Sequence, residues 1–123
     1  MVANNYFGYY RYPPTGDFRA SGSGDIRKEP IPEEALVLAQ KTKASLPHSR
    51  FLAVDMLRDR RDNRFYIIEA STFTQVQTSE QLKVDGIPGR YQFENGAFNF
   101  SPGRFWVQEL VLQELMNEWV EAN

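Results

Sequence analysis

The chain has no cysteine. That excludes disulfides, thiol nucleophiles and zinc–thiolate sites, and it fits a reducing compartment. Histidine occurs once, at position 48. A lone histidine in a loop is usually solvated, so His48 is given no catalytic role. No apolar run approaches the about 20 residues that a membrane helix needs. The opening MVANNYFGYYRY lacks the basic and apolar parts of a secretory leader. Charge of one sign is lacking too: 14 basic and 16 acidic residues leave a net charge of −2. There is no basic stripe for nucleic acid, which disfavours an aromatic-sheet RNA binder. Internal repeats and low-complexity tracts are absent as well. These absences describe a soluble, cytoplasmic protein with no nucleic-acid and no membrane partner. With 123 residues the chain is long enough for a single domain (1–123) with a modest core.

What the sequence does have is concentrated between Phe51 and Ser71: FLAVDMLRDRRDNRFYIIEAS. Phe51–Leu57 is nearly all apolar, and Arg64–Ala70 is rich in aromatic and β-branched residues. The polar stretch between them suits a turn. Each strand carries one acid, Asp55 in the first and Glu69 in the second. If the turn centres on Asp62, paired residue numbers sum to 124, which sets Asp55 opposite Glu69. Alternation along the strands puts Asp55, Glu69 and Ser71 on one face. Facing carboxylates repel, and an apolar sheet has reason to hold such a pair if a cation sits between them. The bland reading is a solvated pair of strand-end acids, or a one-residue slip that separates them.

Upstream, Asn5–Arg11 reads as a short aromatic strand ended by Pro13, Pro14 and Gly16. DFRASGSG follows, a Gly/Ser loop whose backbone N–H groups can point at an anion, flanked by Arg11 and Arg19. Pro30–Leu46 is expected to be helical, with Pro32 at the first helical position and Glu33 and Glu34 in the first turn. Ala35, Leu38, Ala39, Thr42 and Leu46 form its apolar stripe. That stripe is expected to pack on Leu52, Val54, Met56, Tyr66 and Ile68 of the hairpin. Downstream, Thr72–Leu82 is polar, and Gly86, Pro88 and Gly89 suggest a turn. Asn95-Gly96 predicts a tight hairpin pairing Phe93 with Phe98 and Tyr91 with Phe100. A second helix is expected from Ser101-Pro102 to about Ala122, with a wide apolar face that includes Leu110, Leu115, Met116 and Trp119.

The order of these parts resembles the C-terminal lobe of the ATP-grasp family, in its branch of carboxylate–amine ligases. The resemblance covers Tyr6 to Ser71, with 72–123 as a divergent tail. It implies that Arg11 and Arg19 are catalytic contacts to phosphate. It implies that Arg19, Ser21, Gly22, Ser23 and Gly24 form the phosphate loop, and that Asp55, Glu69 and Ser71 hold magnesium (or manganese) against ATP. Ser71 stands where the family usually has asparagine. The family's nucleotide-clamping lobe has no counterpart before Met1.

The expected fold is therefore α+β, an antiparallel sheet with helices packed on it. Two functions stay open. One is a fragment or subunit of a ligase that forms an acyl phosphate and then an amide, its missing lobe on another chain, inactive alone. The other is a non-catalytic module acting in protein–protein association or self-association. A homodimer is expected in either case, because the strand Tyr6–Tyr10 would otherwise be left as an uncovered edge. Against that stands the possibility that the tail folds back over it.

Overall fold

The structure is a computed structural model that describes residues 1–16, 25–72 and 82–123. It is an α+β arrangement of short antiparallel sheets and two helices. The strands are β1 (Asn5–Tyr6), β2 (Tyr10–Tyr12), β3 (Asp25–Arg27), β4 (Ala53–Arg58), β5 (Phe65–Ser71), β6 (Lys83–Val84), β7 (Ile87–Glu94) and β8 (Ala97–Pro102). The helices are α1 (Glu33–Ser45) and α2 (Val107–Ala122). Among the described residues no helix is long and apolar enough to cross a membrane.

β7 is the hub. It pairs with β8 over six residues, and with β6 and β1 over two residues each. Two-residue turns explain the hairpins. Asn95-Gly96 and Asp85-Gly86 both have positive φ at both positions, which matches the twist of the flanking strands. The predicted pairs Tyr91–Phe100 and Phe93–Phe98 are present. Pro88 and Gly89 lie inside β7, however, and the turn is made by Asp85-Gly86. Gly89 is needed there for a second reason. A Cβ would sit 2.4 Å from the Phe100 ring, which lies across the glycine.

The predicted aromatic strand Asn5–Arg11 is divided. β1 pairs Asn5 with Gln92 and Tyr6 with Tyr91, while β2 pairs with β3. The tail thus covers β1, and Tyr6 is only 3% exposed, its ring edge-on to Phe98 at 5.2 Å. The edge expected at Tyr6–Tyr10 is corrected in part: β7 pairs with its Tyr6 end, and β3 pairs with Tyr10 at the other. Side chains lock the junction. Asn4 Nδ2 donates to the Phe93 carbonyl at 2.6 Å, and Arg90 Nη1 to Asn5 Oδ1 at 2.7 Å. Arg90 also stacks on the Phe105 ring at 4.1 Å.

The first residues are clamped as well. The Met1 amine donates to the Leu52 carbonyl at 2.8 Å, and Leu52 N–H returns a bond to the Met1 carbonyl at 3.0 Å. Val2, Tyr6, Ala35, Leu36, Leu52, Leu82 and Val107 are buried and make the core. α1 begins after Pro32, whose carbonyl accepts from Ala35 and Leu36. Its buried side chains are Ala35 and Leu36; Leu46, expected in the core, lies beyond the helix end and is exposed. α2 starts at Val107, six residues after Ser101, because β8 runs through Pro102.

Candidate functional site

The β4–β5 hairpin carries the site. Its turn is organised by Asp59 and Asp62. Asp59 accepts from Arg61, and the Asp62 carboxylate accepts the Arg64 N–H at 3.0 Å and the Tyr66 hydroxyl. Arg61 draws the Asp59 carboxyl below its usual range. Asn63 takes a positive φ to close the turn.

From this turn the ladder runs Arg58–Phe65, Leu57–Tyr66 and Met56–Ile67. The numbers of these pairs sum to 123, one less than a turn centred on Asp62 would give. The register then shifts between Met56 and Asp55, leaving Ile68 as one extra residue in β5. Beyond this bulge the pairs are Asp55–Glu69, Val54–Ala70 and Ala53–Ser71. An uninterrupted ladder would have set Asp55 against Ile68. The bulge is what brings the two carboxylates opposite each other, and bulges of this kind re-aim side chains next to functional sites.

The bulge also corrects the expected packing. Tyr66 pairs with Leu57, so it faces away from Met56. Of the residues expected in the seam with α1, Tyr66 and Ile68 are exposed, at 49% and 65%, and Leu57, the partner of Tyr66, is exposed as well. One polar link joins α1 to the hairpin: Phe65 N–H donates to Glu34 Oε1 at 3.3 Å.

Asp55 and Glu69 are exposed, and among the described residues no lysine or arginine forms an ion pair with either. Ser71 lies two residues beyond Glu69 on the same strand and pairs with Ala53. The donors are all hard oxygens, the set that magnesium or manganese prefers. Among the described residues no three His, Asp or Glu side chains converge. What the register shows is two carboxylates opposite each other, with the Ser71 hydroxyl on the same strand as Glu69.

Arg11 is exposed on β2, opposite Ile26, with Nη2 3.4 Å from the Tyr9 hydroxyl. It belongs to the β2–β3 ribbon, separate from the acid pair's ribbon. Arg58 of the hairpin lies in the electrostatic field of Tyr10, whose hydroxyl is raised above its usual pKa first by burial. Arg19, Ser21, Gly22, Ser23 and Gly24 fall outside the described residues, as does most of the polar stretch 72–82.

Sequence reasoning missed a second feature. Arg50 reaches three glutamates of α2, Glu114, Glu118 and Glu121, at 3.5, 3.6 and 3.7 Å. Their spacing, i, i+4 and i+7, was the available signal for a single acidic row. Compared with family models, with curated proteins and with solved structures, the chain matches none of them.

Proposed function

We propose that the chain is the metal- and phosphate-holding half of an ATP-grasp-like carboxylate–amine ligase, acting with a complementary lobe on another chain. The observation that carries this reading is the bulge at Ile68, which sets Asp55 opposite Glu69 on a solvent-facing ribbon. Two unneutralised acids held face to face cost the hairpin electrostatic energy, and a divalent cation would recover it. Asp55 and Glu69 would hold the ion, with Ser71 contributing its hydroxyl or orienting a water. Bound there with ATP, magnesium would neutralise phosphate charge and orient the transferable phosphoryl group. By the same resemblance Arg11 and Arg19 would contact the phosphates, where a planar guanidinium suits phosphate or acyl phosphate.

The exposure of both acids sets the limit of the isolated chain. Phosphoryl transfer to a carboxylate needs water excluded and both substrates oriented, and an open ribbon does neither. The purified chain should therefore bind manganese weakly and release no ADP from ATP with any mixture of amino acids. Titration calorimetry with manganese tests the site. Asp55→Asn and Glu69→Gln should each lower affinity tenfold or more. Unchanged binding in both variants removes the assignment. Rapid ADP release by the chain alone would remove the need for a second lobe.

A second reading, a non-catalytic module that works through association, is supported by the apolar surface on α2. It requires no metal, so a chain that associates but ignores manganese would favour it.

A further inference from the structure

α2 leaves most of its apolar residues at the surface, and its acidic row is partly exposed too, with the Glu118 and Glu121 side chains 56% and 72% exposed. Glu114, Glu118 and Glu121 all turn toward Arg50, and only Val107 among its apolar residues is fully buried. Leu112, Leu115, Met116, Trp119 and Val120 are 45–69% exposed. These five fall at i, i+3, i+4, i+7 and i+8, which is one continuous stripe on a helix. Among the described residues nothing covers that stripe.

From this arrangement we propose that the outward stripe of α2 is a self-association surface, pairing with the same stripe of a second copy about a two-fold axis near Met116. Three features favour a second copy over other occupants. The five stripe residues are all uncharged, so two copies can meet along them without burying a charge. Its flank carries the exposed amides Gln113 and Asn117. Amides both donate and accept, so they are complementary to themselves, as a two-fold interface requires. Glu114, Glu118 and Glu121 lie on the opposite side of the helix, within reach of Arg50, and the exposed Glu109 stands beyond the N-terminal end of the stripe. α2 has no lysine or arginine, so it also lacks the basic face with which interfacial helices hold anionic lipid. Met116 is the midpoint of the stripe, where a residue meets its own copy across the axis.

This surface replaces the strand edge as the route to a dimer, and it is independent of the proposed metal site. Light scattering and sedimentation of the full chain test it. The expected mass at tens of micromolar is that of two chains, falling to one chain for Met116→Glu combined with Trp119→Glu. Both positions are exposed, so the variant should keep the circular dichroism of the folded chain. The absence of cysteine permits a sharper check. Met116→Cys should cross-link to its copy under mild oxidation, whereas Leu46→Cys, exposed but away from α2, should not. A wild-type monomer at hundreds of micromolar overturns the proposal. So does a double variant that remains dimeric, or equal cross-linking at Leu46→Cys.

Discussion

Two ribbons of this protein have similar composition and opposite circumstances. β7–β8 is an aromatic hairpin whose further partners, β1 and β6, come from the start of the chain and from the segment just before it. β4–β5 is an equally apolar hairpin that pairs with nothing else among the described residues. The first is regular and closed by a two-residue turn. The second is bulged and places two acids opposite each other. A lone two-stranded ribbon is marginal in water, so β4–β5 depends on its neighbours while contributing little core. Cohesion is concentrated in the first ribbon and chemistry in the second.

The largest expected effects are therefore in the β1–β7–β8 region. Tyr6→Ala empties a buried site against Phe98 and should cost about 3–5 kcal/mol, the usual range for a large aromatic. Chemical denaturation measures it, and a loss below 1 kcal/mol would move the core elsewhere. The Met1 amine comes next. Burial, and secondarily the charge of Lys43, lowers its pKa from 8.0 to about 5. The unfolded chain then binds more protons between those values, so stability should be full above pH 8 and fall as pH drops to 5. At about 1.4 kcal/mol per pK unit, the loss is of the order of 2–4 kcal/mol. Urea melts from pH 5 to 8 should show it, and acetylating the amine should flatten the profile. Third is Gly89→Ala, whose Cβ would meet the Phe100 ring at 2.4 Å and the Ser101 carbonyl at 2.5 Å. One contact is backbone and cannot swing away, so a loss of about 1–3 kcal/mol is expected from overpacking.

Much of this contrast is legible in the sequence. Asn95-Gly96 and the alternation around it predict β7–β8 to the residue pair, because a two-residue turn fixes register. Asp85-Gly86 carries the same signal, but Pro88 and Gly89 draw attention away from it. The Asp55–Glu69 pairing is also legible, though for a reason that holds over only half the ladder. The turn sets one register and the bulge another, and an extra residue in a run such as Tyr-Ile-Ile-Glu has no local mark, since either isoleucine fits a pleat. The union of β1 with β7 joins residues more than 80 apart. No local pattern encodes it; it follows from Tyr6 needing a buried place. The exposure of the α2 stripe is hidden for a similar reason: five apolar residues at helical spacing read as core, and no local pattern tells that the described residues leave them uncovered.

The smallest expected effect is the sharpest test of the contrast. Ile68 is a large apolar residue in the middle of a strand, and by composition alone its loss should matter as much as that of Tyr6. Yet it is the bulge residue, without a partner in the β4–β5 register, and it is 65% exposed. Ile68→Thr keeps the β-branched shape that a strand favours and removes little buried area. It should change stability by less than about 0.5 kcal/mol, as for surface positions in general. Manganese binding should survive, because Asp55 and Glu69 keep their pairing. A cost above 2 kcal/mol in the folded chain would mean that Ile68 is covered in solution, and that β4–β5 has a packing partner after all. The stripe variant Met116→Glu with Trp119→Glu then locates that partner. If the cost of Ile68→Thr vanishes in its background, the cover is the second copy; if the cost persists, the cover lies within the chain.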